Sequence, residues 1–139
     1  MAVEYILGID YGEKRVGVAI AHQIARLPRP LTTLSNSDSL LEDLCELIDK
    51  EQVGLVVVGL PRGMDGGYTA QTTLAETFAH ELAAKVEVPI ELADETLTSV
   101  DAETYLGAGQ HAKGDIDALA AAYILERYLA EHPAGKDRA

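Results

Sequence analysis

Cationic residues are scarce in this chain: 11 Lys and Arg stand against 23 Asp and Glu, a formal net charge of −12 over 139 residues. Taken alone, that balance argues against a protein that neutralises many phosphates directly, because counterion release requires clustered cations. A nucleic-acid reading therefore needs bound divalent cations, which invert the electrostatics of a carboxylate cluster. Cysteine is nearly absent too. The lone Cys45 excludes an internal disulfide and fits a reducing compartment, and its place beside Leu41 and Ile48 marks it as a core thiol. No apolar run approaches the ~20 residues of a membrane span, and Glu4 sits where a secretory leader would be basic and then apolar. The expectation is a cytoplasmic protein with no membrane partner. Trp is missing, and six Tyr and one Phe form no base-stacking stripe. His22, His80, His111 and His132 show no metal-ligand spacing. Repeats, low-complexity tracts and linkers are lacking, and a chain this short with 47% hydrophobic content supports one core rather than two.

What is present has a clear order. Residues 3–10 and 15–21 are Val- and Ile-rich runs joined by "YGEK", which reads as an antiparallel hairpin. Pro28 and Pro30 restrict the next segment to a short edge strand near Leu31–Leu34. Apolar positions from Ser39 to Gln52 recur at helical spacing, after an N-cap at Ser37 or Asp38. "GLVVVGL" at 54–60 is continuous, as in a strand covered on both faces. A second helix over 69–85, with Leu74, Phe78 and Leu82 on one face, leads to a strand near Val88–Ala93. "TSVDAETYL" predicts a short helix, and "DIDALAAAYILERYLAEH" a long one ending before Pro133. Two strand–helix–strand units after a hairpin imply a mixed α/β sheet with helices on both faces. The expected domain covers 1–132, with 133–139 a frayed tail.

Three carboxylates occupy positions that invite chemistry. Asp10 shares a strand face with Gly8 and Ile6, and Gly8, Gly17 and Ala19 leave a patch without bulk. Asp117 heads the row Ala121, Ile124 and Tyr128 on one side of the last helix, so it points with the apolar face. A carboxylate there must be hydrogen-bonded, paired or bound to metal. Its neighbour Asp115 reads as an N-cap. Glu95, with Asp94, follows a strand whose carboxyl end is where sites gather in open sheets with parallel strands. Each has a plainer reading: Asp10 as a hairpin residue, Glu95 as a solvated loop charge, Asp117 as a partner of the helix dipole. Should the three converge, oxygen donors without Cys or His favour Mg²⁺ or Mn²⁺ over Zn²⁺. Lys14, Arg15, Arg62 and Lys113 fall in or beside loops at the same end, as phosphate contacts or as ordinary surface charge. In "GLPRGMDGG", Gly63, Gly66 and Gly67 allow close backbone approach to a ligand, or simply make a connection.

Taken together, "LGIDYGEKRVGVAIA", "RPLTTL", "VVVGLPRGMDGG", "DETLTSVDAE" and "KGDIDALAAAYILERYL" closely resemble the YqgF/RuvX family across nearly the whole chain. Proteins of that family are described as pre-16S rRNA nucleases or Holliday-junction-resolvase-like proteins with a ribonuclease H-like fold. The resemblance implies a five-stranded sheet of order 3-2-1-4-5, with Asp10, Glu95 and Asp117 as the catalytic and metal-holding acids. It further implies two-metal phosphodiester hydrolysis leaving 5′-phosphate and 3′-hydroxyl ends. Nucleic acid is the implied partner, RNA ahead of structured DNA, for a monomer or homodimer. Thr96 stands where the family usually has Arg, and Asp115 where a second basic residue is common. Both remove positive charge from the expected site.

Two rival readings remain at this level. "GIDYGEKRVGVAI" also resembles the first phosphate motif of actin-like ATP-binding phosphotransferases, although 139 residues leave no room for the second such domain. Alternatively, the chain is a nucleic-acid-binding module of the same fold that has lost effective turnover, which the missing Arg and the acidic balance favour.

Overall fold

The computed structural model describes residues 4–63, 65–95 and 113–132. Strands β1 (Tyr5–Tyr11) and β2 (Arg15–His22) form the expected hairpin, followed by β3 (Arg29–Ser35), α1 (Leu40–Lys50) and β4 (Val53–Pro61). Helix α2 (Ala70–Ala83), β5 (Ile90–Glu95) and helix α3 (Lys113–Glu131) complete the described elements. The five strands lie in the order β3-β2-β1-β4-β5. Pairing is antiparallel among β1, β2 and β3, and parallel from β1 to β4 to β5.

Alternation along the strands sorts the core into two layers. Leu7, Ile9, Val16, Val18, Ile20, Val56 and Val58 pack with Leu44 and Ile48 of α1 and with Phe78 and Leu82 of α2. On the opposite face, Ile6, Ala19, Ala21 and Val57 pack against Ala121, Ile124 and Leu125 of α3. The unbroken "VVV" of β4 thus feeds both layers, as a central parallel strand must. The α3 face intersperses Gly8, Gly17, Ala19 and Ala21 among its branched side chains, so α3 lies close to the sheet there. Arg26, from the β2–β3 turn, donates from Nη2 to the carbonyls of Leu129 at 3.1 Å and His132 at 2.5 Å. It thereby satisfies carbonyls at the end of α3 and complements the helix dipole.

Several boundaries differ from the sequence reading, each for a physical reason. β3 is longer than expected because an irregularity between Val18 and Ala19 sets Pro30 opposite Ala19 on an edge strand, where proline is tolerated. Leu74 is turned out to solvent, because α2 buries Thr72, Ala75, Phe78, Ala79 and Leu82 instead. Thr72 replaces it at the core edge: its hydroxyl donates to the Pro61 carbonyl and takes part in a capping box with Thr69. Cys45 is half-buried rather than a core thiol. Helix α3 starts at Lys113, so Asp115 lies inside its first turn rather than at the N-cap, and Asp117 in its second. The short helix expected in "TSVDAETYL", with Thr96 and His111, lies outside the described residues, as does the 133–139 tail.

Candidate active site

Parallel pairing places the carboxyl ends of β1, β4 and β5 at one end of the sheet. The start of β2 lies there too, since Asp10 faces Gly17 across the hairpin. Gly17 is the contact that brings α3 in. A Cβ built on it would sit 1.9 Å from the carbonyl oxygen of Asp117, so the helix backbone occupies the space a side chain would need. Gly8, two residues before Asp10, performs the same service further along: its Cβ would come within 2.5 Å of Leu125 Cγ and 3.0 Å of the Ala121 carbonyl. The bulk-free patch in the sequence is the bed of α3, and it delivers Asp117 to the residue paired with Asp10.

The electrostatics follow from that apposition. Burial, with the nearby Asp117 carboxylate adding to it, pushes the Asp10 carboxyl up from 3.8 to about 6. Asp117 is balanced differently. Arg15, first residue of β2, donates from Nε to Asp117 Oδ2 at 2.6 Å, a short charge-assisted bond. No bond to a cationic side chain accompanies Asp10 among the described residues.

Asp10 thus binds its proton more tightly folded than unfolded. The stability this proton confers is present below about pH 4 and is lost as pH rises through about 6. Urea denaturation of the metal-free protein is expected to show up to about 3 kcal/mol of such loss. In Asp10→Asn that slope is absent and stability at pH 7.5 exceeds that of the unsubstituted chain. Parallel pH–stability curves for the two proteins would contradict the assignment.

Glu95 is the last residue of β5, in register with Pro61. It comes two positions after Ala93, which packs in the α3 layer, and four after Glu91, which accepts a 2.7 Å bond from the Tyr128 hydroxyl of α3. Its backbone therefore reaches the same end of the sheet, while its side chain, like those of Lys113 and Asp115, lies outside the described residues. Among the described residues no group of three or more His, Cys, Asp or Glu is placed to hold a metal ion; the described part of the expected triad is the Asp10–Asp117 pair.

Arg62 and Lys14 have different surroundings. Lys14 is exposed at the hairpin turn. Arg62 is engaged: Nη2 contacts both Asp94 oxygens at 3.1 Å, Nη1 donates to the Gly66 carbonyl at 2.7 Å, and the guanidinium lies 4.7 Å from the Tyr68 ring centroid. It ties the glycine loop to the end of β5, beside Glu95. The loop closes on itself through Gly63 N to the Gly67 carbonyl and Gly66 N to the Gly63 carbonyl, both 2.8 Å, with Gly66 at φ +82°. Arg62→Ala is expected to raise hydrogen exchange at the Gly63 and Gly67 amides about tenfold, with global stability changed by no more than about 1 kcal/mol. Unchanged exchange would show that Arg62 does not hold the loop. Sequence reasoning missed the Arg62 partners Asp94 and Tyr68; the adjacency of Asp94 to Glu95 was the available signal. It also missed the Arg15–Asp117 pair, for which no local signal exists, the two residues being 102 positions apart.

A family model described as "RuvX: Holliday junction resolvase" matches residues 4–131. The chain belongs to the RuvX family. A relative from Shewanella oneidensis, named "Putative pre-16S rRNA nuclease", is 39% identical over 138 residues, covering 95% of this chain and 98% of its own. One from Paraburkholderia phymatum with the same name is 39% identical over 126 residues, covering 89% and 83%. Among solved structures, Thermus thermophilus RuvC superposes with a TM-score of 0.55 at 15% identity, covering 92% of this chain and 96% of that one. The same protein in complex with a Holliday junction substrate gives 0.54, covering 93% and 96%. At that identity the likeness establishes a fold shared between RuvX and RuvC. The strand order 3-2-1-4-5 implied by the sequence resemblance is the one observed.

Proposed function

We propose that this RuvX-family chain is a cytoplasmic, divalent-cation-dependent nuclease that hydrolyses phosphodiester bonds in the 5′ leader of pre-16S rRNA. The observation that carries the proposal is the placement of Asp117 over Gly17, which sets two carboxylates side by side at the carboxyl end of the parallel strands. Two anions held together in a partly buried position are costly unless a cation or a proton relieves them. The donor set fits a hard divalent ion: it consists of carboxylate oxygens, with Asp10 raised to about 6 by burial and, beyond that, by the Asp117 carboxylate. Asp10, Asp117 and Glu95 would hold Mg²⁺ or Mn²⁺. When bound, such an ion supplies Lewis-acid stabilisation and a water of lowered pKa.

The chain's own residues do the rest. Gly8 and Gly17 fix the spacing of α3 from the sheet and with it the separation of the two Asp. Arg62 holds the glycine loop against Asp94, which leaves the loop amides in one arrangement near the strand ends. Lys14, Arg15 and Lys113 would contact substrate phosphates, and on a chain of formal net charge −12 the bound ions would carry most of the neutralisation. The names of the curated relatives support RNA as substrate.

The experiment is cleavage of a precursor 16S RNA spanning the mature 5′ end, beside a four-way DNA junction, with Mg²⁺ or Mn²⁺ and with a chelator. The expected result is cation-dependent cleavage of the RNA, lost in Asp10→Asn and Glu95→Gln. Preferential cutting of the junction would replace the substrate assignment, and equal cutting by all three proteins would remove the mechanism.

A further inference from the structure

Arg15 competes with a bound cation for the Asp117 carboxylate. Its Nε lies 2.6 Å from Asp117 Oδ2, occupying one of the two oxygens through which the carboxylate could coordinate a metal at ~2.0–2.6 Å. A divalent ion and a guanidinium on the same carboxylate repel each other strongly in a partly desolvated site. Asp10, by contrast, has no bond to a cationic side chain among the described residues, so of the two aspartates only Asp117 is masked.

The masking group is built to leave. Arg15 begins β2, its backbone fixed by pairing with Ser35, so exchange requires movement of the side chain alone. That side chain is 41% exposed, against 25% for Asp117, and its contact to Asp117 runs through Nε. Arg15 and Gly17 lie two residues apart on β2 and thus on one face, the face that α3 covers. Of the two partners the guanidinium is the more exposed, and so the more open to a phosphodiester. The planar fork of Arg suits bidentate capture of a phosphate oxygen pair, which Lys does not reproduce.

We propose that Arg15 is an exchangeable counterion of Asp117: it neutralises the carboxylate in the substrate-free protein and transfers to a nucleic-acid phosphate on binding, freeing Asp117 for the divalent cation. Metal and substrate binding are thereby coupled, and by linkage each strengthens the other. On an acidic chain the arrangement also lowers the negative charge that a polyanion first encounters. This inference rests on the proposed nuclease site, which is why the test reads binding rather than turnover.

The test measures Mn²⁺ affinity by the paramagnetic resonance signal of free Mn²⁺, without nucleic acid, for the unsubstituted chain, Arg15→Gln, Arg15→Lys and Asp10→Asn. Affinity for a short single-stranded RNA is measured separately in EDTA. The exchange predicts opposite signs for Arg15→Gln: Mn²⁺ binding tighter by about tenfold, RNA binding weaker by a similar factor. Arg15→Lys, which keeps the charge and loses the fork, falls between. A merely structural Arg15 would weaken both in Arg15→Gln, and unchanged or weaker Mn²⁺ binding overturns the inference. Asp10→Asn separates the two levels of the argument. If it abolishes Mn²⁺ binding while Arg15→Gln leaves it unchanged, the metal site stands and the exchange falls. If neither the unsubstituted chain nor Arg15→Gln binds Mn²⁺, both fall.

Discussion

Asp10→Asn is expected to lower the rate of phosphodiester cleavage by about a thousandfold while leaving the fold intact. The substitution keeps size and one hydrogen-bonding oxygen but removes the charge that a divalent ion requires. Metal-assisted stabilisation of the reacting oxygens is worth several kcal/mol, and each 1.36 kcal/mol is about a factor of ten. The loss should fall on kcat rather than on RNA affinity, because Asp10 is partly buried on the sheet face that α3 covers and, as an anion, makes no favourable contact to a phosphate. The same variant is expected to be the more stable protein at neutral pH, since it removes an ionised carboxylate from the neighbourhood of Asp117. Rate and stability moving in opposite directions distinguish a functional acid from a hairpin residue. A hairpin Asp would lose stability on substitution and leave the rate alone. Single-turnover cleavage with chemical denaturation of the same preparation checks both.

Gly17→Ala is expected to cost about 3 kcal/mol of stability and most of the activity. The added methyl would meet backbone rather than side chain: Asp117 O at 1.9 Å, Asp117 C at 2.3 Å and Ala118 N at 2.9 Å. No rotamer change relieves such a contact, so α3 must lift from the sheet, and overpacking of this kind costs about 1–3 kcal/mol or more. Lifting α3 parts Asp117 from Asp10, so in the folded fraction Mn²⁺ affinity should fall as well. Gly66→Ala provides the contrast. At φ +82° with nothing within 4 Å of a new Cβ, it incurs only backbone strain of about 1 kcal/mol, and Asp10 and Asp117 keep their separation. Urea midpoints for the two variants check the difference in scale; equal midpoints would mean that α3 is not seated on Gly17.

The sheet was legible because its pattern is local. Alternation in β1 and β2, the unbroken valines of β4 and the helical periodicity of α1 and α3 each follow from burial on known faces. Small residues are equally legible: Gly8, Gly17 and Ala19 opposite an alanine-rich helix imply the close approach that α3 makes. Asp10 and Asp117 stand out in the sequence by the strand face and helix face they occupy, and the fold brings these two together. Pairings that depend on the tertiary path were not legible. Nothing near Arg15 in the sequence points to Asp117, and nothing in "GLPRG" says that Arg62 will turn to Asp94 and Tyr68. Leu74 was misplaced for a related reason. Its helix buries Phe78 and Leu82 as expected, but fills the rest of that face with Thr72, Ala75 and Ala79, small residues that a count of large apolar ones passes over.

The central claim is that Asp10, Asp117 and Glu95 share one divalent cation. Carbonyl and carboxyl ¹³C relaxation in a protein labelled at Asp and Glu, titrated with substoichiometric Mn²⁺, tests it without substrate or turnover. The account predicts that the side-chain carboxyl signals of Asp10, Glu95 and Asp117 broaden first and together, ahead of the exposed acids of α1, and that Asp10→Asn removes the selective broadening of the other two. Broadening spread evenly over the many surface carboxylates, or confined to acids elsewhere, would contradict it.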